Sequence, residues 1–540
     1  MNPADPFPPR SQDWPSPDGD GSLAGSPPTR PGPTGRLPDP GNPRRRSVAL
    51  VVLIAAFVSV FGLQQFRAAA PLPEPSERYE APDTDMFSLT SRAITKIAVA
   101  LKKQQPTAPI GSLQQNLDTS ARTPVDRFRA AIVAAELIDA ATAAERLKSL
   151  SEAIDQEAAD AAKAEAATPP SAEEAKVNER AAEARGRLRT DVEVLRGVYA
   201  GEYALDDVAA KGLIERYGWF GRVAATQGET DIKRSQLFQN GMELLLVLFL
   251  VGSGAFVVGI ASLVCLVLVL VKVSSGKFRA KFSAPAPGGS VYLETVAVFV
   301  VSFVLLTLGF EAIDYGFQKS GKPSPEWLGL AHMALQWVLL LVIFWPRTRG
   351  VELERWKRDT GLNMGEGFWK EASSGVFVYL ASLPLLVLAG VVSLLLNLLR
   401  DAIRTMVAGK PVDAGIPHNP ILDILMNAPP LMLVLLFVLA TCWAPLVEET
   451  IFRGCMYRHL RSRVNWVGAA IVSALMFGGM HGYEFVNLLP VITLGFVFSA
   501  MREWRSSLVA SITCHLLHNC TVLLIAITIV QLIKSGSFQP

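Results

Sequence analysis

Residues 443–463 read WAPLVEETIFRGCMYRHLRSR and follow without a break on an apolar run that begins near residue 425. A helix of roughly 20 apolar residues crosses a hydrocarbon core about 30 Å thick, and the arginines that follow mark where such a helix meets the headgroups. Two adjacent carboxylates, Glu448 and Glu449, stand at that exit. Working outward, further apolar runs occupy 48–63, 242–271, 291–310, 327–345, 376–399, 464–480, 487–501 and 507–533. The pattern predicts an all-α, polytopic transmembrane helix bundle of about nine spans.

Half of the 540 residues are apolar, and the formal net charge is +2. So small a charge argues against nucleic acid as a partner, and the bilayer is the environment the composition requires. The five cysteines, Cys265, Cys442, Cys455, Cys514 and Cys520, lie in or beside apolar runs and imply no disulfide framework. Residues 1–46 are rich in Pro, Gly and Ser, which predicts a disordered tail. Residues 47–66 read as an anchor. The RAAAPLP after it resembles a signal-peptidase site, but the long preceding tail favours an uncleaved helix.

Residues 67–240 are polar and rich in Ala, Glu, Lys and Arg, with apolar positions at helical spacing and a break at Pro169 and Pro170. This is a helical soluble insert. It is open to two readings: a solvated helical hairpin or coiled coil, and a module that binds a partner protein. Residues 241–370 carry additional membrane helices and loops, 371–533 the remaining bundle, and 534–540 a short tail.

Lys and Arg concentrate in KVSSGKFRAK, RTRGVELERWKR, RGCMYRHLRSR and REWR. All four fall on one side if the spans alternate, and basic loops favour the cytoplasm. The expected location is the bacterial inner membrane, with the N-terminus cytoplasmic and the insert outside.

Three clusters carry chemistry. In the first, Glu449 and Arg453 are four residues apart and share a helix face, a spacing that favours an ion pair. Glu448 is turned about 100° away and has no evident partner. The plain alternative is a charged helix end at the headgroups. In SALMFGGMHGYE, His481 closes an apolar run one turn after Phe477, where it is either an interfacial residue or a catalyst. Along the run at 507–533, His515, His518 and Asn519 interrupt an otherwise apolar helix. Polar groups at that depth are costly and normally face a bundle interior. His515 and Asn519 share a face; His518 points aside, as a helix-helix hydrogen-bonding residue would.

Glu448-Glu449-x-x-x-Arg453, Phe477-x-x-x-His481 and His515-x-x-x-Asn519, in this order on successive membrane helices, resemble the CAAX-protease and bacteriocin-processing family of intramembrane glutamic endopeptidases, also called abortive-infection proteins. The resemblance covers roughly 370–533. It implies a metal-independent peptidase core at 371–533 with no cofactor. Glu448 and His481 would activate water and His515 and Asn519 would stabilise the oxyanion, with Glu449, Arg453 and Phe477 in support. Membrane-associated peptides or proteins are the implied substrates.

Zinc held by Glu448, His481 and His515, with or without His518, is the rival within the enzyme class, although no His-Glu-x-x-His helix is present. Outside that class stand a non-catalytic scaffold or immunity-type protein and a proton-coupled transporter. The first would suit a degenerate motif and the second a chain with two related halves.

Overall fold

The computed structural model describes residues 36–68, 75–80, 85–105, 110–167, 169–227, 232–277, 279–320, 322, 324–408, 424–426 and 428–534. Most of the tail read at 1–46, and nearly all of that at 534–540, lies outside them. Among the described residues every regular element is helical and no strand forms; one isolated bridge joins Pro38 to Ala286.

Eight helices are long and apolar enough to cross a membrane: Pro43–Gln65, Arg234–Ser274, Val291–Phe317, Glu326–Thr348, Phe368–Val407, Pro430–Arg461, Phe485–Arg505 and Val509–Lys534. The ninth apolar run, at 464–480, folds as Trp466–Gly479, a helix of 14 residues. At 1.5 Å per residue it rises about 21 Å, short of a full crossing. It packs against Leu489–Arg505 as a helical hairpin.

Phe368–Ala408 packs along Gly241–Ser274 and Val509–Lys534, and Pro43–Ala68 along Val291–Lys319. Val447, Ile451, Phe452, Phe477, Phe498 and Cys514 are buried in the core where these helices meet. Phe249, Phe256, Leu263 and Val267 on the Gly241–Ser274 helix are exposed. In a bilayer they face lipid, where an apolar surface carries no penalty.

At one end of the bundle, charged side chains tie the connecting loops together. Arg458 meets Asp39 at 2.8 Å and Asp359 at 3.2 Å. The backbone amides of Lys281 and Phe282 donate to the Glu503 carbonyl, and Arg505 pairs with Glu371 at 2.8 Å and Glu366 at 3.2 Å. Hydrogen bonds from Lys281 and Lys370, helped by the Arg505 charge, hold the Glu366 carboxyl down to about 2. The four basic loops and the segment before the first helix therefore share one face of the molecule.

The polar insert occupies the other end and has a core of its own. Phe128, Ile132, Leu147, Leu188, Leu195, Trp219 and Phe220 are buried together. Ala140–Ala167 and Ala172–Tyr199 form an antiparallel pair broken at Pro169 and Pro170, and Ser171 and Glu174 close a capping box at the second helix. Pro124–Leu137 packs on the pair, so the insert is a helical globule and not a bare hairpin. Its helix Met86–Gln104 docks on Gly241–Ser274, and Lys96 Nζ donates to the Leu532 carbonyl at 3.2 Å.

Candidate active site

The Pro430–Arg461 helix changes pitch twice before it reaches the basic face. Leu439–Trp443 and Glu449–Met456 are π-helical, separated by the α-helical turn Ala444–Glu448. Pro445 explains the first change. The Ala444 amide donates back to Leu439 O, five residues earlier. The next donor in that pattern would be residue 445, and proline has no N–H. The Ala440 carbonyl is left without its backbone partner, and Asn519 Nδ2 donates to it at 2.7 Å from another helix. Such wide turns concentrate at functional sites.

Glu448 ends the α-helical turn between the two π segments, and Glu449 opens the second. Glu449 is fully buried, and its Oε1 accepts from Arg453 Nη1 at 3.0 Å. Arg453, equally buried, also donates through Nη2 to the Gly495 carbonyl at 2.9 Å. Its guanidinium lies 4.2 Å from the Phe477 ring centroid and 5.0 Å from that of Phe498. Stacked against two aromatic faces, the cation is held by ring quadrupoles as well as by its carboxylate. Gly495 permits this arrangement, since a Cβ there would sit 3.1 Å from Arg453 Nη2 and from Phe477 Cδ1.

His515 bridges the two glutamates. Its Nδ1 lies 3.3 Å from Glu449 Oε1 without an aligned hydrogen bond, and its Nε2 lies 4.0 Å from Glu448 Oε2. The ring stacks on Phe498 with centroids 5.0 Å apart. Glu448 is the less enclosed of the pair, 19% exposed, and its buried Oε2 has no hydrogen-bond partner among the described residues. A distance of 4.0 Å is beyond a direct hydrogen bond, so Glu448 and His515 face one shared position without satisfying each other.

His481 lies just past the end of Trp466–Gly479. Its Nδ1 contacts the Phe477 carbonyl at 2.8 Å, which makes Nδ1 the protonated nitrogen of the neutral ring and leaves Nε2 as an acceptor. The Phe477 ring is 4.9 Å from that of His481 and 6.0 Å from that of His515. No hydrogen bond joins His481 to Glu448 among the described residues; Phe477 separates the two histidines and fixes their spacing. His518 turns toward Tyr379, with ring centroids 6.4 Å apart, away from the glutamates.

The structure therefore gathers Glu448, Glu449, Arg453, Phe477 and His515 into one contact group, with His481 on its border and Asn519 one turn beyond His515. Among the described residues no three His, Cys, Asp or Glu side chains converge in a way that could hold a metal ion. Phe498 and the Ala440 carbonyl also belong to the group and were not legible beforehand. Gly495 carried a faint signal, as a lone glycine inside an apolar run often marks a close backbone approach.

A family model for the Rce1-like type II CAAX prenyl endopeptidases matches residues 430–521. The Bacillus subtilis (strain 168) protein described as "Putative membrane peptidase YdiL" is 28% identical over 104 residues. That alignment takes in 19% of this chain and 40% of the relative, so the chain spans well under half the relative's length. No solved structure matches. The first helix, the insert and the helices up to residue 429 lie outside the family match. The seven motif residues, from Glu448 to Asn519, all lie inside it, and residues 430–521 of this multi-pass membrane protein form an Rce1-like type II CAAX prenyl endopeptidase domain.

Proposed function

We propose that the protein is an intramembrane endopeptidase of the glutamic type, needing no metal, that cuts membrane-associated peptides or proteins. The observation that carries this reading is the buried, unpaired Glu448 Oε2 facing His515, on a carboxylate with no ion-pair partner among Lys and Arg of the described residues, beside Glu449, whose Oε1 is held by Arg453 while its Oε2 is likewise unpaired. An unpartnered buried carboxylate oxygen is expensive unless a ligand uses it.

In this mechanism Glu448, with the acceptor Nε2 of His481, takes a proton from a water molecule. The resulting hydroxide attacks the scissile amide carbon, and the negative charge moves to the carbonyl oxygen. The Asn519 amide hydrogen not engaged by Ala440 donates to that oxyanion, and so does His515 Nε2 when the ring is protonated on both nitrogens, since Nδ1 faces the Glu449 carboxylate. Collapse of the intermediate returns the electron pair to the carbonyl, breaks the C–N bond and passes the proton from Glu448 to the leaving amine. Glu449 and Arg453 keep the acceptor and donor sides in register.

The test compares peptide termini in host membranes carrying wild-type protein, Glu448→Gln or no protein, at equal expression. Termini produced by wild type alone support the peptidase and name its substrates. Identical termini for wild type and Glu448→Gln, with both differing in phenotype from the deletion, would replace it with a scaffold.

A further inference from the structure

The turn that carries His481 poses a problem of backbone chemistry. Between Trp466–Gly479 and Leu489–Arg505 the turn from Met480 to Leu488 leaves peptide groups outside the α-helical ladders, and such groups need other partners. Its polar atoms must find protein partners, and they find them on helices outside the family match. The Gln64 side-chain amide lies against this turn: Nε2 donates to the Met480 carbonyl at 3.4 Å, and with the amide turned over the nitrogen would donate to the carbonyls of Gly479 at 3.0 Å and His481 at 3.3 Å. Gln65 Nε2 donates to the Tyr483 carbonyl at 3.0 Å, and its Oε1 accepts from the Phe485 amide at 2.7 Å. Beyond them, Ser393 Oγ donates to the Val486 carbonyl at 2.8 Å and Asn397 Nδ2 to Asn487 Oδ1 at 2.9 Å.

Gln64 and Gln65 close the first membrane helix, which leans on the same turn through its aromatics. A Cβ on Gly479 would lie 2.5 Å from the Phe57 ring, and Phe61 meets Phe485 edge to face with centroids 6.3 Å apart. The paired amides thus bracket His481, one on each side along the chain.

We propose that Gln64 and Gln65 are positioning residues for His481: they replace solvent for the turn at 479–485 and so fix the backbone from which the imidazole is aimed. The first helix is then a working part of the catalytic unit as well as an anchor. This rests on the role assigned to His481 above. Neither glutamine touches the reacting atoms in this scheme; both act through the turn.

The experiment uses full-length protein in lipid nanodiscs, labelled with [15N]histidine, with the His481 ring assigned by its loss in His481→Asn. Wild type is expected to show a single Nδ1-protonated ring protected from water exchange. Gln64→Ala/Gln65→Ala is expected to show mixed tautomers and fast exchange at His481, with the other histidine signals unchanged. On a peptide identified by the terminus comparison, kcat falls about 10- to 100-fold with KM unchanged, the range expected for displacing a reacting group by an ångström or less. Gln65→Glu keeps the acceptor for Phe485 and is expected to fall between the two; it also serves should the double variant fold poorly.

An unchanged His481 signal in folded Gln64→Ala/Gln65→Ala, or in Gln65→Ala alone, overturns the proposal. The ring signal is read whether or not any peptide is cut. A tautomer shift in a protein that cleaves nothing would therefore keep the positioning role and remove the peptidase, and an unshifted ring in an active protease would do the reverse.

Discussion

Glu449 meets Arg453 and His515 with the same carboxylate oxygen, and all three side chains are buried. Removing one member of such a pair strands the other charge in a low-dielectric interior, at a cost of about 3–5 kcal/mol, while replacing both with packed neutral groups costs far less. Arg453→Met or Glu449→Gln alone is therefore expected to destabilise the domain by about that amount. Glu449→Gln/Arg453→Met should recover much of the loss, measured by denaturant unfolding in detergent. Additive losses would mean that the Phe477 and Phe498 faces, and not the carboxylate, hold the guanidinium. The pairing itself was legible from the four-residue spacing. The aromatic cradle and the Gly495 carbonyl were not, because Gly495 and Phe498 lie more than 40 positions along the chain and reach Arg453 only once the hairpin folds back.

At the scale of the element, Pro445 and the helix it distorts explain more than the motif does. The proline removes one backbone donor, the helix widens, the Ala440 carbonyl is released, and Asn519 closes the gap from the last helix. Asn519→Ala is expected to leave that carbonyl unpaired at a cost of about 1–3 kcal/mol. With Pro445→Ala the backbone amide at 445 returns, and the same Asn519→Ala change should then cost measurably less. A double-mutant cycle on unfolding reads the coupling; strict additivity would show that Asn519 does not repair the proline break. On the proposed mechanism, peptidase activity should stay low in both Asn519→Ala backgrounds, because the oxyanion donor assigned to Asn519 is missing either way. The positions of the helices followed from apolar runs, but several helices extend well past them: the run at 291–310 lies in Val291–Lys319 and that at 376–399 in Phe368–Ala408. The π turns did not follow from them, since a proline in an apolar run announces a local break without saying whether the chain will kink, stop or widen.

For the molecule as a whole, the ion-pair lattice through Asp39, Arg458, Asp359, Glu503 and Arg505 places the four basic loops on one face and leaves the insert on the other. We place the basic face in the cytoplasm by the rule that Lys and Arg are retained there. In a chain whose five native cysteines are replaced by serine, Glu165→Cys should react with an impermeant maleimide on intact cells, and Glu354→Cys only after permeabilisation. The opposite pattern would invert the orientation and move the site to the other leaflet. The class of molecule could be read directly from the chain, because a helix in lipid must satisfy its own backbone and announces itself as an unbroken apolar run. The chain also supplied the residues from which a site is built, because charges and imidazoles at that depth have few other reasons to be there. Which of them touch became visible with the folded bundle. Glu448 faces His515 across 4.0 Å, Asn519 is half committed to a carbonyl, and two glutamines more than 400 residues upstream hold the turn of His481. Contacts of that kind depend on where helices cross, and crossing is set by side-chain packing between segments that no local pattern relates.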